Sequence, residues 1–255
     1  MHSSLPGRHE LGQNFLTDRA VLDRVVQLVR ERPGPIVEWG TGNGALTLAL
    51  DRLGRPLEGI EIDPRHVREL RRKVGPHVCI SEGDILRHAP PADAVLVSNV
   101  PFHLTTPVLR HLLRSPCWSS AVLITQWEVA RKRAGVGGAT QLTAQWWPWY
   151  AFGLDRRISS AAFRPQPSVD AGLLLVNRRA EPLIPDSRRA GYQGWVARVF
   201  KSRGRGIAEI LIRNGVPRDV AGALARHPRR RPAGLPRDLR AEDWAEAYPA
   251  VLGRE

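Results

Sequence analysis

Between residues 35 and 129 short apolar runs alternate with amphipathic stretches. The runs are "PIVEW" (35–39), "LEGIEI" (57–62), "HVCISEGD" (77–84), "DAVLVSN" (93–99) and "SAVLITQWEV" (120–129). Each has the length and the β-branched content of a buried strand. The stretches between them carry helix signals. Thr17 or Asp18 can cap a helix with Val21, Leu22, Val25, Leu28 and Val29 on one face. Pro64 opens another that runs to about Val74, and Thr106-Pro107 starts a third through Leu113. Strand and helix in alternation imply a doubly wound, parallel α/β sheet, because parallel neighbours need a crossover long enough to hold a helix. Two more strands, "WYAFGLDRRI" (149–158) and "VDAGLLLVNRR" (169–179), have only "SSAAFRPQPS" between them. That is too short for a crossover helix, so this pair is expected to be antiparallel. Past Arg179 the strand signal stops and helical patterns take over, with Pro182 and Pro185 marking a linker. The expected division is a first domain over 1–179 and a small helical, basic one over 180–255.

"EWGTGNGALT" (38–47) hands the first strand to a helix. Glycines at 40, 42 and 44 let the backbone approach a ligand and leave the first N–H groups of the helix free. Glu61 ends the second strand, where a carboxylate can hold ribose hydroxyls. Alone, this pattern fits two chemistries. Gly40-x-Gly42-x-x-Ala45 also satisfies a dinucleotide fingerprint, so a nicotinamide-dependent oxidoreductase competes. Two acids favour S-adenosylmethionine. Glu38 suits an ammonium group better than a pyrophosphate, and Asp84, ending the third strand, can accept a hydrogen bond from an adenine amine. A pyrophosphate gains nothing from acids at the ends of three successive strands.

The fourth strand runs into Asn99-Val100-Pro101-Phe102. An exocyclic adenine amine is a poor nucleophile because its lone pair is delocalised into the ring. The Asn99 amide oxygen and a backbone carbonyl can accept both of its hydrogens, drawing the nitrogen toward sp3 and aiming the lone pair at a methyl donor. This is positioning and electrostatics, with no strong base. Proline stiffens the loop and Phe102 offers a stacking face for a base that has left its own stack.

Asn99-Val100-Pro101-Phe102 resembles the N-[IVL]-P-[YF] motif of adenine-N6 methyltransferases. "GQNFLTD" (12–18), "GDIL" (83–86) and "AFRPQPSVDAG" (162–172) resemble segments of the ribosomal RNA adenine dimethylase family. The resemblance runs over nearly the whole chain. It implies a Rossmann-like class I methyltransferase sheet with a small helical C-terminal domain, using S-adenosylmethionine. By that resemblance Asn14 and Leu16 lie over the cofactor, Gly40 contacts its methionine part and Glu61 its ribose. Asp84 and the Ile85 backbone contact the adenine, Asn99 and Phe102 hold the target base, and Phe163 packs on that base from the other side. Phe102 stands where tyrosine is commoner, which keeps stacking and removes any role for a phenol.

Two branches share these motifs, one acting on a small-subunit rRNA hairpin in ribosome assembly, the other being the Erm enzymes of 23S rRNA. "TQWEVARKRAG" (125–135) and "TQLTAQWWPWY" (140–150) resemble the Erm proteins of high-GC actinomycetes, which implies methylation of one adenine in the peptidyl-transferase region and resistance to macrolides, lincosamides and streptogramin B. The small-subunit dimethylase is the alternative. A net charge of +13 agrees with an RNA partner. The excess is concentrated, with +8 over 178–255 against +5 over 1–177. The arginine clusters at 131–133, 156–157 and 229–231 are candidates for phosphate contacts. Trp146, Trp147, Trp149 and Tyr150 read as packing in preference to an RNA stacking platform. Cys79 and Cys117 read as buried, reduced thiols without metal-ligand spacing. No apolar stretch reaches membrane-spanning length, and the N-terminus lacks a secretory apolar region. A cytoplasmic monomer is expected.

Overall fold

The computed structural model describes residues 14–226 and 234–253. Gly12 and Gln13, and the basic run with Arg229, Arg230 and Arg231, lie outside the described residues. The chain begins with β1 (Phe15–Leu16), α1 (Arg19–Arg30), β2 (Ile36–Trp39), α2 (Ala45–Asp51), β3 (Leu57–Glu61), α3 (Pro64–Arg71) and β4 (Val78–Glu82). It continues with β5 (Val95–Asn99), α4 (Thr105–Arg114), β6 (Ser120–Gln126), α5 (Trp127–Arg133), α6 (Gln141–Trp146), β7 (Tyr150–Ile158), β8 (Phe163–Arg164) and β9 (Ala171–Arg178). Helices α7 (Arg189–Lys201), α8 (Ile207–Arg213), α9 (Arg218–Ala225) and α10 (Ala241–Leu252) complete it.

Seven strands form one sheet in the order β4-β3-β2-β5-β6-β9-β7. The first five are parallel, with Ile36 opposite both Leu57 and Val95, and Asn99 opposite Ile124. Direction reverses at β9. The Trp127 N–H, just past β6, donates to the Asp170 carbonyl just before β9 (2.9 Å), and the Arg179 N–H, just past β9, donates to the Trp149 carbonyl just before β7 (2.9 Å). The short connection between β7 and β9 therefore joins antiparallel neighbours, as expected. Strand order reverses between β2, whose outer neighbour is β3, and β5. A crevice outside the carboxyl ends of strands at such a switch point is where open α/β sheets bind ligands.

Local chemistry accounts for the element ends. Asp18 caps α1 by accepting the Val21 N–H (3.0 Å), and the helix buries Val21, Val25, Val26, Leu28 and Val29 against the sheet. The third strand stops at Glu82, two residues short of the expected end, because β3 offers no partner beyond Glu61. The fifth stops at Gln126, and Trp127 opens a helix, because β5 ends opposite Ile124. Cys79 and Cys117 are free thiols but are exposed, correcting the expectation of burial. β4 is an edge strand on which Ile80 takes the inward position, and Cys117 sits in a turn at φ +72°.

The chain divides into two compact units, residues 1–130 with 155–176, and residues 131–154 with 177–255. The second unit thus takes in 131–154 from the expected first domain. Its core explains the tryptophan-rich run. Trp146, Trp147, Trp149 and Tyr150 are all buried. The Tyr192 hydroxyl donates to the Ala144 carbonyl (2.7 Å), and its ring meets Trp149 edge-on with centroids 5.6 Å apart. Arg189 lies over Trp149 at 4.9 Å. These rings are packing, as read from the sequence. Among the described residues no helix is long and apolar enough to cross a membrane.

Candidate active site

The turn after β2 holds three glycines at left-handed φ, +76° at Gly40, +52° at Gly42 and +87° at Gly44. Two of them have contrasting surroundings. A Cβ on Gly44 would sit 2.3 Å from Leu70 Cδ1, so it is what lets α2 start against α3. A Cβ on Gly40 would meet nothing within 4 Å. That position faces open space, where bound ligand can approach the main chain.

Three acids surround this turn. Glu38 is 1% exposed at the end of β2 and accepts a hydrogen bond from the Thr47 hydroxyl (2.6 Å). Burial, reinforced by the nearby Glu61 and opposed by Thr47, lifts its pKa to about 8. Glu61 spends one oxygen on the Gly42 N–H (2.7 Å) and the other on the Asp63 N–H (2.9 Å). Each carboxylate oxygen keeps a second lone pair for hydroxyl donors. Asp84 accepts from the Leu86 N–H (2.9 Å), and its side chain is 42% exposed. It caps the turn after β4 with Oδ1, while Oδ2 lies 3.8 Å from Arg87 Nε.

At the end of β5, the Ser98 hydroxyl donates to the Trp39 carbonyl (2.6 Å) and stitches the two strand ends together. The next residue, Asn99, donates from Nδ2 to the Asn14 carbonyl (2.7 Å). A carbonyl can only accept, so this contact fixes which way the amide faces and reserves Oδ1 as the acceptor. Pro101 and the one-turn helix Phe102–Leu104 follow, closed by the Leu104 N–H on the Pro101 carbonyl (2.8 Å). Asn14, Leu16, Gly40, Glu61, Asp84, Ile85, Asn99 and Phe102 line one cleft, with about 990 Å³ of free space up to its open mouth.

A family model described as "Ribosomal RNA adenine dimethylase" matches residues 5–235. The chain belongs to the ribosomal RNA adenine dimethylase family. "Mycinamicin-resistance protein MyrB" of Micromonospora griseorubida is 48% identical, over 97% of this chain and 83% of that protein. An "rRNA adenine N-6-methyltransferase" of Corynebacterium diphtheriae is 47% identical, over 82% of this chain and 83% of that protein. The crystal structure of "23S rRNA methyltransferase ErmE" superposes with a TM-score of 0.82 at 30% identity, covering 93% of this chain and 99% of that one. Within the family this is an Erm-type enzyme. The sheet order is accordingly that of a Rossmann-like methyltransferase.

Of the residues singled out in this Erm-type methyltransferase, Phe163 and Gly44 do not line the cleft. Phe163 is fully buried in the core, opposite Leu16 in the antiparallel β1–β8 pair. Sequence reasoning missed several cleft residues, Ile62 and Thr41 among them. Ile62 directly follows Glu61 and is 55% exposed, an apolar face left open beside the cleft. Thr41 lies between two of the glycines and is 4% exposed, and its hydroxyl has no hydrogen-bond partner among the described residues. The Asn14 main-chain carbonyl was missed as well, because no side-chain pattern reports it.

The cleft suits a cationic nucleoside ligand and not a pyrophosphate. Among the described residues Glu38 is a buried carboxyl without a cationic partner, Gly40 opens onto free space and the Thr41 hydroxyl has no hydrogen-bond partner.

Proposed function

We propose that this chain transfers a methyl group from S-adenosylmethionine to N6 of one adenine in the peptidyl-transferase region of 23S rRNA, conferring resistance to macrolides, lincosamides and streptogramin B. It works as a monomer in the cytoplasm. The observation that carries the reading is the Asn99 amide, tethered through Nδ2 and left with Oδ1 as acceptor, beside Phe102 in an acid-lined cleft.

When bound, S-adenosylmethionine supplies an electrophilic methyl group. Glu38 faces its ammonium end, and Gly40 lets the methionine part approach the main chain. Glu61 offers its spare lone pairs to the ribose. Asp84 and the Ile85 backbone take the adenine, with Ile62 as an apolar face and Asn14 and Leu16 as cover. Asn99 Oδ1 and a loop carbonyl accept the two N6 hydrogens of the target base, while Phe102 stacks on its ring. Its contribution is a preorganised acceptor at the place where charge develops on nitrogen. Phe163 acts from behind this wall, through Leu16 opposite it.

The relatives named for mycinamicin resistance and as ErmE support the 23S target. The test is primer extension across both ribosomal RNAs of a drug-sensitive bacterium expressing the protein. A single blocked adenine in the peptidyl-transferase region, together with drug resistance, is expected. Modification of small-subunit rRNA with unchanged drug sensitivity would replace this reading with that of an assembly dimethylase.

A further inference from the structure

Arg157 is held in an unusual way for a surface arginine. Its guanidinium lies over the Trp127 ring, 5.3 Å from the centroid. Its Nε donates to Asp170 Oδ2 (2.7 Å), and the other oxygen of Asp170 accepts the Ser160 N–H (2.9 Å). The acid is thereby tied down from both sides, and the Ser160 bond first, then Arg157, holds it ionised below the usual carboxylate range. The ring beneath is fixed too. A Cβ on Gly172 would come within 3.2 Å of Trp127 Cε3 and 2.7 Å of Ala130 Cβ, so only glycine lets α5 seat Trp127 this close to β9. Despite these restraints the Arg157 side chain is 60% exposed. Among the described residues its two terminal nitrogens donate to no carboxylate; Asp170 engages only the Nε edge.

Such an arginine has already lost the rotamer freedom that binding would cost, and it presents a flat two-pronged fork to solvent. That is the geometry that grips a phosphate in two parallel hydrogen bonds. Its place in the fold selects the ligand. Trp127 directly follows β6, whose Ile124 pairs with Asn99 and accepts the Val100 N–H. At about 3.3 Å per residue, the platform stands on the order of 10 Å beyond the Asn99 pocket along the same edge of the sheet. We infer that Arg157, held over Trp127, binds the phosphodiester of a nucleotide flanking the target adenine, an assignment that rests on the RNA substrate proposed above. A contact there fixes the register of the strand while the base is drawn out of its stack.

The neighbouring Arg156 supplies an internal control. Its Nε is held by a different carboxylate, Asp155 (3.0 Å), which also holds Arg24 of α1. The two arginines read as one cluster in the sequence are held by different carboxylates.

The test measures binding of the full-length protein to an RNA hairpin transcribed from the peptidyl-transferase region of 23S rRNA, across a series of salt concentrations. Methyl transfer to the same hairpin is followed in parallel. Arg157→Gln should flatten the log–log salt dependence by about 0.7–0.9, the share of one phosphate contact. Arg156→Gln should leave the slope at the wild-type value. Arg157→Lys should keep the slope but bind several-fold more weakly, since a point charge replaces the fork. An unchanged slope in Arg157→Gln, an equal change in both glutamine variants, or wild-type affinity in Arg157→Lys overturns the inference. Failure of the wild-type protein to methylate the hairpin would instead sink the substrate reading beneath it.

Discussion

A carboxyl group at position 38 is folded into a place where its ionised form is poorly solvated. Its pKa of about 8, raised from 4.5 by burial, has a sign that can be worked through. Between those two values the folded chain keeps a proton that the unfolded chain has released. The folded state binds more protons there, so Glu38 makes the ligand-free protein less stable as pH rises across that interval. Glu38→Gln keeps an acceptor for Thr47 and removes the titration. Thermal melts of the two proteins from pH 5 to 8 should therefore converge at low pH and separate at high pH, the variant melting higher; parallel curves would refute the account. An ammonium-bearing ligand favours the ionised form, so wild-type affinity for S-adenosylmethionine should rise with pH toward 8, by up to about tenfold per unit. The glutamine variant should lack that component in a calorimetric titration. Asn99→Ala addresses the other end of the cleft. It should cut single-turnover methyl transfer by on the order of a hundredfold or more, with cofactor affinity changed by no more than a few fold. Near-normal transfer would reduce the tetrapeptide to a turn.

At the scale of elements, the site depends on how strand ends are tied. The Ser98 hydroxyl takes the Trp39 carbonyl at the point where β2 peels away and the Gly40 N–H turns to the Ile60 carbonyl (2.8 Å). Ser98→Ala would leave a buried carbonyl without that partner, a loss of about 1–3 kcal/mol in chemical denaturation. Wild-type stability would show that water replaces the hydroxyl there. Strand-level features such as these were largely legible in the sequence. The alternation of apolar runs and helical stretches revealed the parallel sheet, and Glu38, Glu61, Asp84 and Asn99 stood at strand ends that the glycine turn made conspicuous. What escaped depends on pairing between distant segments. The burial of Phe163 follows from β8 joining β1, and the contact to Asn99 comes from a main-chain oxygen at residue 14. Helix α6 was hidden because its six residues, Gln141–Trp146, are too few to show a helical period, and the start of α5 because nothing in "TQWEV" marks where the neighbouring strands run out.

For the molecule as a whole, the chain passes between its two compact units three times. Residues 131–154 belong with the C-terminal helices, and the core of that unit joins Trp149 from the middle of the chain to Tyr192 from a later helix. A protein ending at residue 179, where the strand signal stops, would keep Trp146, Trp147, Trp149 and Tyr150 and lose Tyr192, which packs on Trp149, and Arg189, which lies over Trp146 and Trp149. We expect such a fragment to be insoluble, or to show no cooperative melt. A soluble fragment with a sharp transition and normal cofactor affinity would contradict this. The same threading bears on how such enzymes exchange parts. A single crossover between two related genes near codon 179 would bring together halves of two different aromatic cores, so exchanging this unit whole between relatives requires three junctions, near residues 130, 154 and 176. Recombination should therefore trade this unit rarely, and sequence variation in it should accumulate by compensated point substitutions.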